Sequence, residues 1–357
     1  MPSLQAIRAS NARLNTLPTP RITALFVGGT SGIGQSTLRQ LAKHTNKHKP
    51  SPSSSSSSRR ETGLTAYIVG RNEARAKPFL FELQSISPHG KFHFIEADVA
   101  LARNVDRVCE EIKKKEEKLD YVFMTPGGIS NPFAGRDDTI EGIDRLFALR
   151  YYSRMRFISN LLPLLSKSDQ SRVISIYGGG FEYPIDTSNL SLSRPGSFNA
   201  LKGYKHSITM TSLAMSHLSK QYPNVSFIHA FPGLVGTNIY SNSFPGPIAA
   251  VYNYAIWPMM WPFSVGLKES GERHLFHLAS SMYPARNGGD GGVQDGREGE
   301  GEVANGLDGV KGSGAYLINW RGGIRPSSKI LDEYREQGID EMVWRHTEEV
   351  LDEAVRK

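Results

Sequence analysis

The chain has 357 residues, of which 39% are hydrophobic and 22% charged, a balance that suits a soluble globular protein with polar insertions. Its formal net charge of +7 forms no basic, aromatic-interleaved stripe, which argues against nucleic-acid binding while leaving a field that favours anionic ligands. The single cysteine, Cys109, excludes an internal disulfide framework and a cysteine-based metal site, and points to a reducing, cytoplasmic compartment.

Met1–Pro20 lacks an apolar core and reads as an N-terminal extension rather than a secretory signal. Arg21–Val27 is an apolar, β-forming run that ends at glycines, so it is the first predicted strand. A helix follows over Ile33–His44, with Ile33, Leu38 and Leu41 on one side. Residues 44–62 contain SPSSSSSS and are expected to be a disordered insertion. The pattern then alternates. Strands are predicted at Leu64–Val69, Phe92–Ala97 and Tyr121–Thr125, and helices at Glu73–Ile86, Asn104–Lys118 and Ile140–Leu165. Further strands at Arg172–Ile176, Val225–Ala230 and Ala315–Asn319 flank helices at Tyr204–Lys220 and Gly266–Ser281. Residues 286–314 are rich in Gly, Asp and Glu and are expected to be a second disordered insertion. Alternating strands and helices imply an α/β protein with a Rossmann-type, doubly wound parallel sheet. We expect one domain over 21–330, with 1–20 as an extension and 331–357 as a helical C-terminal segment.

Between the first strand and helix stands Val27-Gly28-Gly29-Thr30-Ser31-Gly32-Ile33-Gly34. Glycines there allow a tight turn, close approach of a phosphate, and close helix–strand packing. The helix N-terminus adds free N–H groups and a positive dipole end. Gly28, Thr30, Ser31, Gly32, Ile33 and Gly34 are therefore candidate dinucleotide-binding residues. The second strand ends in Arg71-Asn72. An acidic residue there would accept from a ribose 2′-OH, whereas Arg71 would attract a 2′-phosphate, so NADP (as NADPH) is expected over NAD.

These residues resemble the short-chain dehydrogenase/reductase family, whose turn reads TGxxxGIG, with Val27 in place of the threonine. The resemblance runs from about Arg21 to Asn319, and the Gly-Glu-Arg-His-Leu-Phe and Val-Trp-x-His-Thr segments are similar to fungal members, many of which serve secondary metabolism. It implies further cofactor contacts from Asp98 and Val99 at the adenine, Gly127 after the fourth strand, and Pro232, Gly233 and Thr237 near the nicotinamide end. In many relatives the helix aligned with Ile140–Leu165 also forms a dimer interface, which extends the expectation to a homodimer.

The family's catalytic Asn, Ser, Tyr and Lys are incompletely matched. Tyr204 aligns with the tyrosine and is the candidate proton donor, but Ile208 stands at the lysine position, Gly178 at the serine position and Arg150 at the asparagine position. A neutral phenol is the form that reduction needs, so reduction of a carbonyl on a hydrophobic small molecule is the first expectation. The alternative is a redox-inactive dinucleotide-binding protein, or an isomerase- or cyclase-like use of the same fold. Histidine pairs at His44/His48, His89/His93 and His274/His277 lack the intervening glutamate of a zinc protease motif, and no metal is expected. Phe244–Val265 is aromatic and proline-broken, which argues against a membrane span and for a substrate-covering flap.

Overall fold

The computed structural model describes residues 1–14, 21–46, 63–128, 135–237, 246–288 and 301–356. Strands β1 (Ile22–Val27), β2 (Leu64–Gly70), β3 (Lys91–Glu96), β4 (Tyr121–Met124), β5 (Arg172–Ile176), β6 (Ser226–Ala230) and β7 (Ala315–Ile318) form one sheet. All neighbours are parallel, in the order β3-β2-β1-β4-β5-β6-β7. β1 reads ITALFV and is buried along its whole length, as a strand covered on both faces requires.

Helices cover both faces. On one side, Ala102–Lys115, Ser153–Leu165, Ala200–Gln221 and Ile339–Arg356 enclose a core that includes Val108, Tyr151, Leu213 and Trp344. On the other, Leu4–Arg13, Gly32–Thr45, Glu73–Ile86 and Leu267–Ala279 enclose Ile7, Leu38, Phe79 and Phe276. Both terminal segments thus join the core of a single α/β domain. The strand order reverses between β1 and β4, and the crevice at their carboxyl ends is where such sheets bind ligands. Register places Val27, Val69, Met124 and Ser175 abreast at that edge.

Three expectations change. The helix expected over Ile140–Leu165 begins only at Arg145. Gly142 takes a left-handed backbone, Ile140 lies exposed in the preceding turn, and Asp144 caps the helix by accepting from the Phe147 amide at 2.9 Å. Ala148–Tyr152 then winds as a π-helix before Ser153–Leu165. The insertion expected over 286–314 is folded where it is described. Arg286–Gly288 is a 3₁₀ turn, Leu307 is buried in the core, and Arg286 pairs with Asp308 at 3.1 Å. Residues 289–300 lie outside the described residues. The insertion expected at 44–62 begins inside a helix that runs to Thr45, and 47–62 lie outside the described residues.

The segment expected to cover a substrate forms short helical turns over Gly246–Phe263. Trp257 packs over Gly236, but Tyr254, Met259, Trp261 and Phe263 face outward and are exposed.

Candidate functional site

The cleft at the β1/β4 crevice has a volume of about 670 Å³. Its floor is the β1–helix turn, and two glycines there have no substitute. Gly28 takes φ +81°, and a Cβ on it would meet Thr125 Oγ1 at 2.5 Å. A Cβ on Gly34 would sit 2.6 Å from the Gly28 carbonyl oxygen. Gly34 is therefore behind the cleft, where it lets the helix Gly32–Thr45 begin against the turn. That helix start has no side-chain cap, which leaves its first N–H groups turned to the cleft.

Gly28, Thr30, Ser31, Gly32, Ile33, Arg71, Asp98, Val99, Gly127 and Thr237 all line the cleft. Arg71 is exposed on its lip, and no ion pair holds it among the described residues. Asp98 accepts from the Ala100 amide at 3.1 Å and pairs with Arg145 at 3.2 Å. Asn72 is turned away, because its side chain caps the next helix by accepting from the Arg75 amide at 2.8 Å. Pro232 and Gly233 are not part of the cleft lining, and Gly233 packs on the Trp320 ring. The expected flap contributes none of the described lining residues, which on that side are Gly236, Thr237 and Leu267.

Tyr204, the expected proton donor, is not among the residues that line the cleft. Tyr204 is half-buried on the helix Ala200–Gln221, and its neighbour Gly203 reaches the cleft wall. Its ring stands edge-on to Tyr177 at 5.6 Å, with the Arg150 guanidinium 5.8 Å above it. Burial raises the Tyr204 pKa, the Tyr183 hydroxyl adds to the rise, and Arg150 partly offsets it. The hydroxyl therefore stays protonated through the neutral range.

Arg150 sits in the π-helical turn and is only 4% exposed. Its Nη2 donates to the Gly128 carbonyl at 2.6 Å, and its Nε is buried without a partner. One turn on, Arg154 is buried completely. It donates to Ser175 Oγ at 2.5 Å, to the Ile176 carbonyl at 3.0 Å, to the Leu149 carbonyl at 3.3 Å, and to the Pro126 carbonyl. Burial lowers its pKa to about 10. Arg154 thus ties the ends of β4 and β5 together beneath Tyr177, whose ring lies 5.5 Å away.

Behind Gly178 runs a buried chain. The Gly178 amide donates to His229 Nε2 at 3.2 Å, His229 Nδ1 lies 2.7 Å from Ser212 Oγ, and that hydroxyl donates to Glu182 Oε1 at 2.7 Å. With Nε2 accepting, the ring proton belongs on Nδ1. Burial pushes the His229 pKa down to about 3, so the ring is neutral, while burial raises the Glu182 carboxyl above its ordinary value. This network and Arg154 were not evident from the sequence, because their partners lie on separate elements far apart along the chain.

Gly178 and Ile208 interlock. A Cβ at Gly178 would meet Ile208 Cδ1 at 2.5 Å and Cγ1 at 2.7 Å. The small residue at 178 and the branched one at 208 are therefore one packing event. We expect Gly178→Ser to destabilise the fold by ~1–3 kcal/mol through overpacking. Ile208→Ala should cost ~2–5 kcal/mol by itself, and the double variant should recover at least ~1 kcal/mol of the summed cost. Urea unfolding of all four proteins measures this, and strictly additive losses would contradict the interlock.

A family profile described as short chain dehydrogenase matches residues 55–246. The chain is 61% identical, over all of both chains, to "Oxidoreductase AN1596" of Emericella nidulans. It is 36% identical to "Oxidoreductase andH" of Emericella variicolor, covering 97% of this chain and 96% of that one. Among solved structures, "YwfH, NADPH dependent reductase involved in Bacilysin biosynthesis" superposes with a TM-score of 0.54 at 16% identity, covering 73% of this chain and 92% of that one.

Proposed function

The chain belongs to the short-chain dehydrogenase/reductase family, and on that premise we propose that it is an NADPH-dependent reductase of a small carbonyl compound with an apolar skeleton. The chain is a redox enzyme, as its fungal relatives named oxidoreductases are. The observation that carries the cofactor reading is the pairing of an uncapped helix start at the strand-order reversal with a free cationic lip at Arg71. The glycine turn fits the group, since a Cβ at Gly28 or Gly34 would collide with Thr125 or with the turn's own backbone and so displace the cradle.

In this reading, the amides from Ser31 to Ile33 hold the pyrophosphate and Arg71 holds the 2′-phosphate. Asp98 and Val99 flank the adenine, and Thr237 and Gly127 border the nicotinamide end. Asn72, Pro232 and Gly233 act indirectly, by ending β2 and by seating the loop on Trp320. The bound cofactor supplies a hydride to the carbonyl carbon. Tyr204 supplies the proton to the oxygen, which its raised pKa allows. The resemblance to fungal members supports a place in secondary-metabolite biosynthesis.

Fluorescence titration with NADPH and NADH tests the cofactor assignment, and binding of neither would sink it. Arg71→Glu should weaken NADPH by about 10–100-fold and NADH by no more than about threefold. Equal weakening would contradict the phosphate assignment. With a turned-over carbonyl compound, Tyr204→Phe should slow reduction by ~10²-fold or more. An unchanged rate would remove Tyr204 from the proton step.

A further inference from the structure

Arg150 and Arg154 place two guanidiniums in neighbouring turns beside the catalytic tyrosine position, and neither has a carboxylate partner among the described residues. They differ in what they do. Arg154 spends its donors on backbone carbonyls and Ser175. Arg150 has one bond, to Gly128, and lines the cleft with an orphaned Nε. Among the described residues this nearly buried cation meets one neutral carbonyl and the rings of Tyr177 and Tyr204, at 5.9 and 5.8 Å, but no anion. At the position where the family pattern expects a serine hydroxyl to hold a neutral substrate oxygen stands Gly178, which has none.

We infer that Arg150 binds the substrate directly, and that the substrate carries an oxyanion next to its reacting carbonyl, as a carboxylate or an ionised enol, on an otherwise apolar skeleton. The inference rests on the reductase reading above and names its substrate class. Phe147, Leu149 and Phe198, which line the same cleft, would meet the apolar part. A guanidinium presents planar paired donors to such an oxyanion, and its charge also favours the negative oxygen that forms as hydride arrives. Tyr204 remains the proton donor in this reading.

The test uses the full chain loaded with NADPH and three probes: benzoylformate, its methyl ester, and dimedone, which is ionised at neutral pH. Binding is read by quenching of the bound NADPH fluorescence. Benzoylformate, dimedone or both should bind at least ~10-fold more tightly than the ester, which distinguishes the carboxylate from the enolate source. Arg150→Met should weaken the preferred anion at least ~30-fold and the ester by no more than about threefold, with Arg150→Lys retaining part of the preference. NADPH affinity should be unchanged in both variants. If neither anion outbinds the ester, or the preference survives in Arg150→Met, the inference is overturned. An equal loss of NADPH affinity in Arg150→Met would overturn it too, by assigning the cation to a cofactor phosphate. Failure of the wild-type chain to bind NADPH would instead sink the reductase reading.

Discussion

Arg154→Met is expected to lower the folding free energy by ~3–5 kcal/mol, the cost of stranding buried acceptors when a buried cation is removed. The side chain is 1% exposed and donates to Ser175, Ile176 and Pro126, at or just beyond the ends of β4 and β5, and to Leu149 in the preceding helical turn. Methionine fills similar space but offers none of these bonds. For a chain of this size the loss should lower the Tm by roughly 4–7 °C, which scanning calorimetry would read. Arg154→Lys should recover little, because a single ammonium cannot reach acceptors spread around a planar fork. A change in stability under ~1 kcal/mol would show that these carbonyls find other partners, and that the arginine is not the tie between β4 and β5.

Gly34→Val is expected to cut NADPH affinity by ~100-fold or more, because it displaces the whole phosphate cradle. Its Cβ would lie 2.6 Å from the Gly28 carbonyl oxygen and 3.2 Å from the Gly29 Cα. Both obstacles are backbone, so relief requires the helix Gly32–Thr45 to move off the turn. Gly34 touches no cleft wall itself, and for that reason the variant separates the shape of the turn from direct contact. Titration of the folded variant against NADPH decides the matter, with circular dichroism confirming that the sheet persists. Affinity within about threefold of wild type would sink the claim that this close approach shapes the site.

Much of the fold was legible because parallel strands buried on both faces must be continuously apolar. ITALFV and AYLIN announce β1 and β7 without help from any partner. The 140s misled, since Ile140 fits a helical apolar spacing but is held outside by a left-handed Gly142 and by the Asp144 cap. The folded part of 301–314 was hidden for the opposite reason. Its composition is polar, yet Leu307 enters the core and Arg286 pairs with Asp308, contacts that composition cannot register. At the site, the glycine turn and Arg71 are local signals, and both lie on the cleft. Asn72 was misplaced because an asparagine before a helix serves as its cap. The Arg150–Tyr204 pairing and the His229 chain join residues far apart in sequence, so only the assembled sheet edge brings them together.

The Gly178–Ile208 interlock also constrains the routes by which this sequence can change. Installing serine at 178 and lysine at 208 needs two substitutions, and each intermediate carries its own penalty. Serine first collides with the isoleucine it faces. Lysine first places another buried cation on the helix of Tyr204, already overhung by Arg150. A single-step walk in either order crosses a valley, whereas the paired exchange does not meet the steric obstacle. The Gly178–Ile208 pair therefore behaves as a ratchet, and libraries that vary positions 178 and 208 together should recover variants that one-site scans discard.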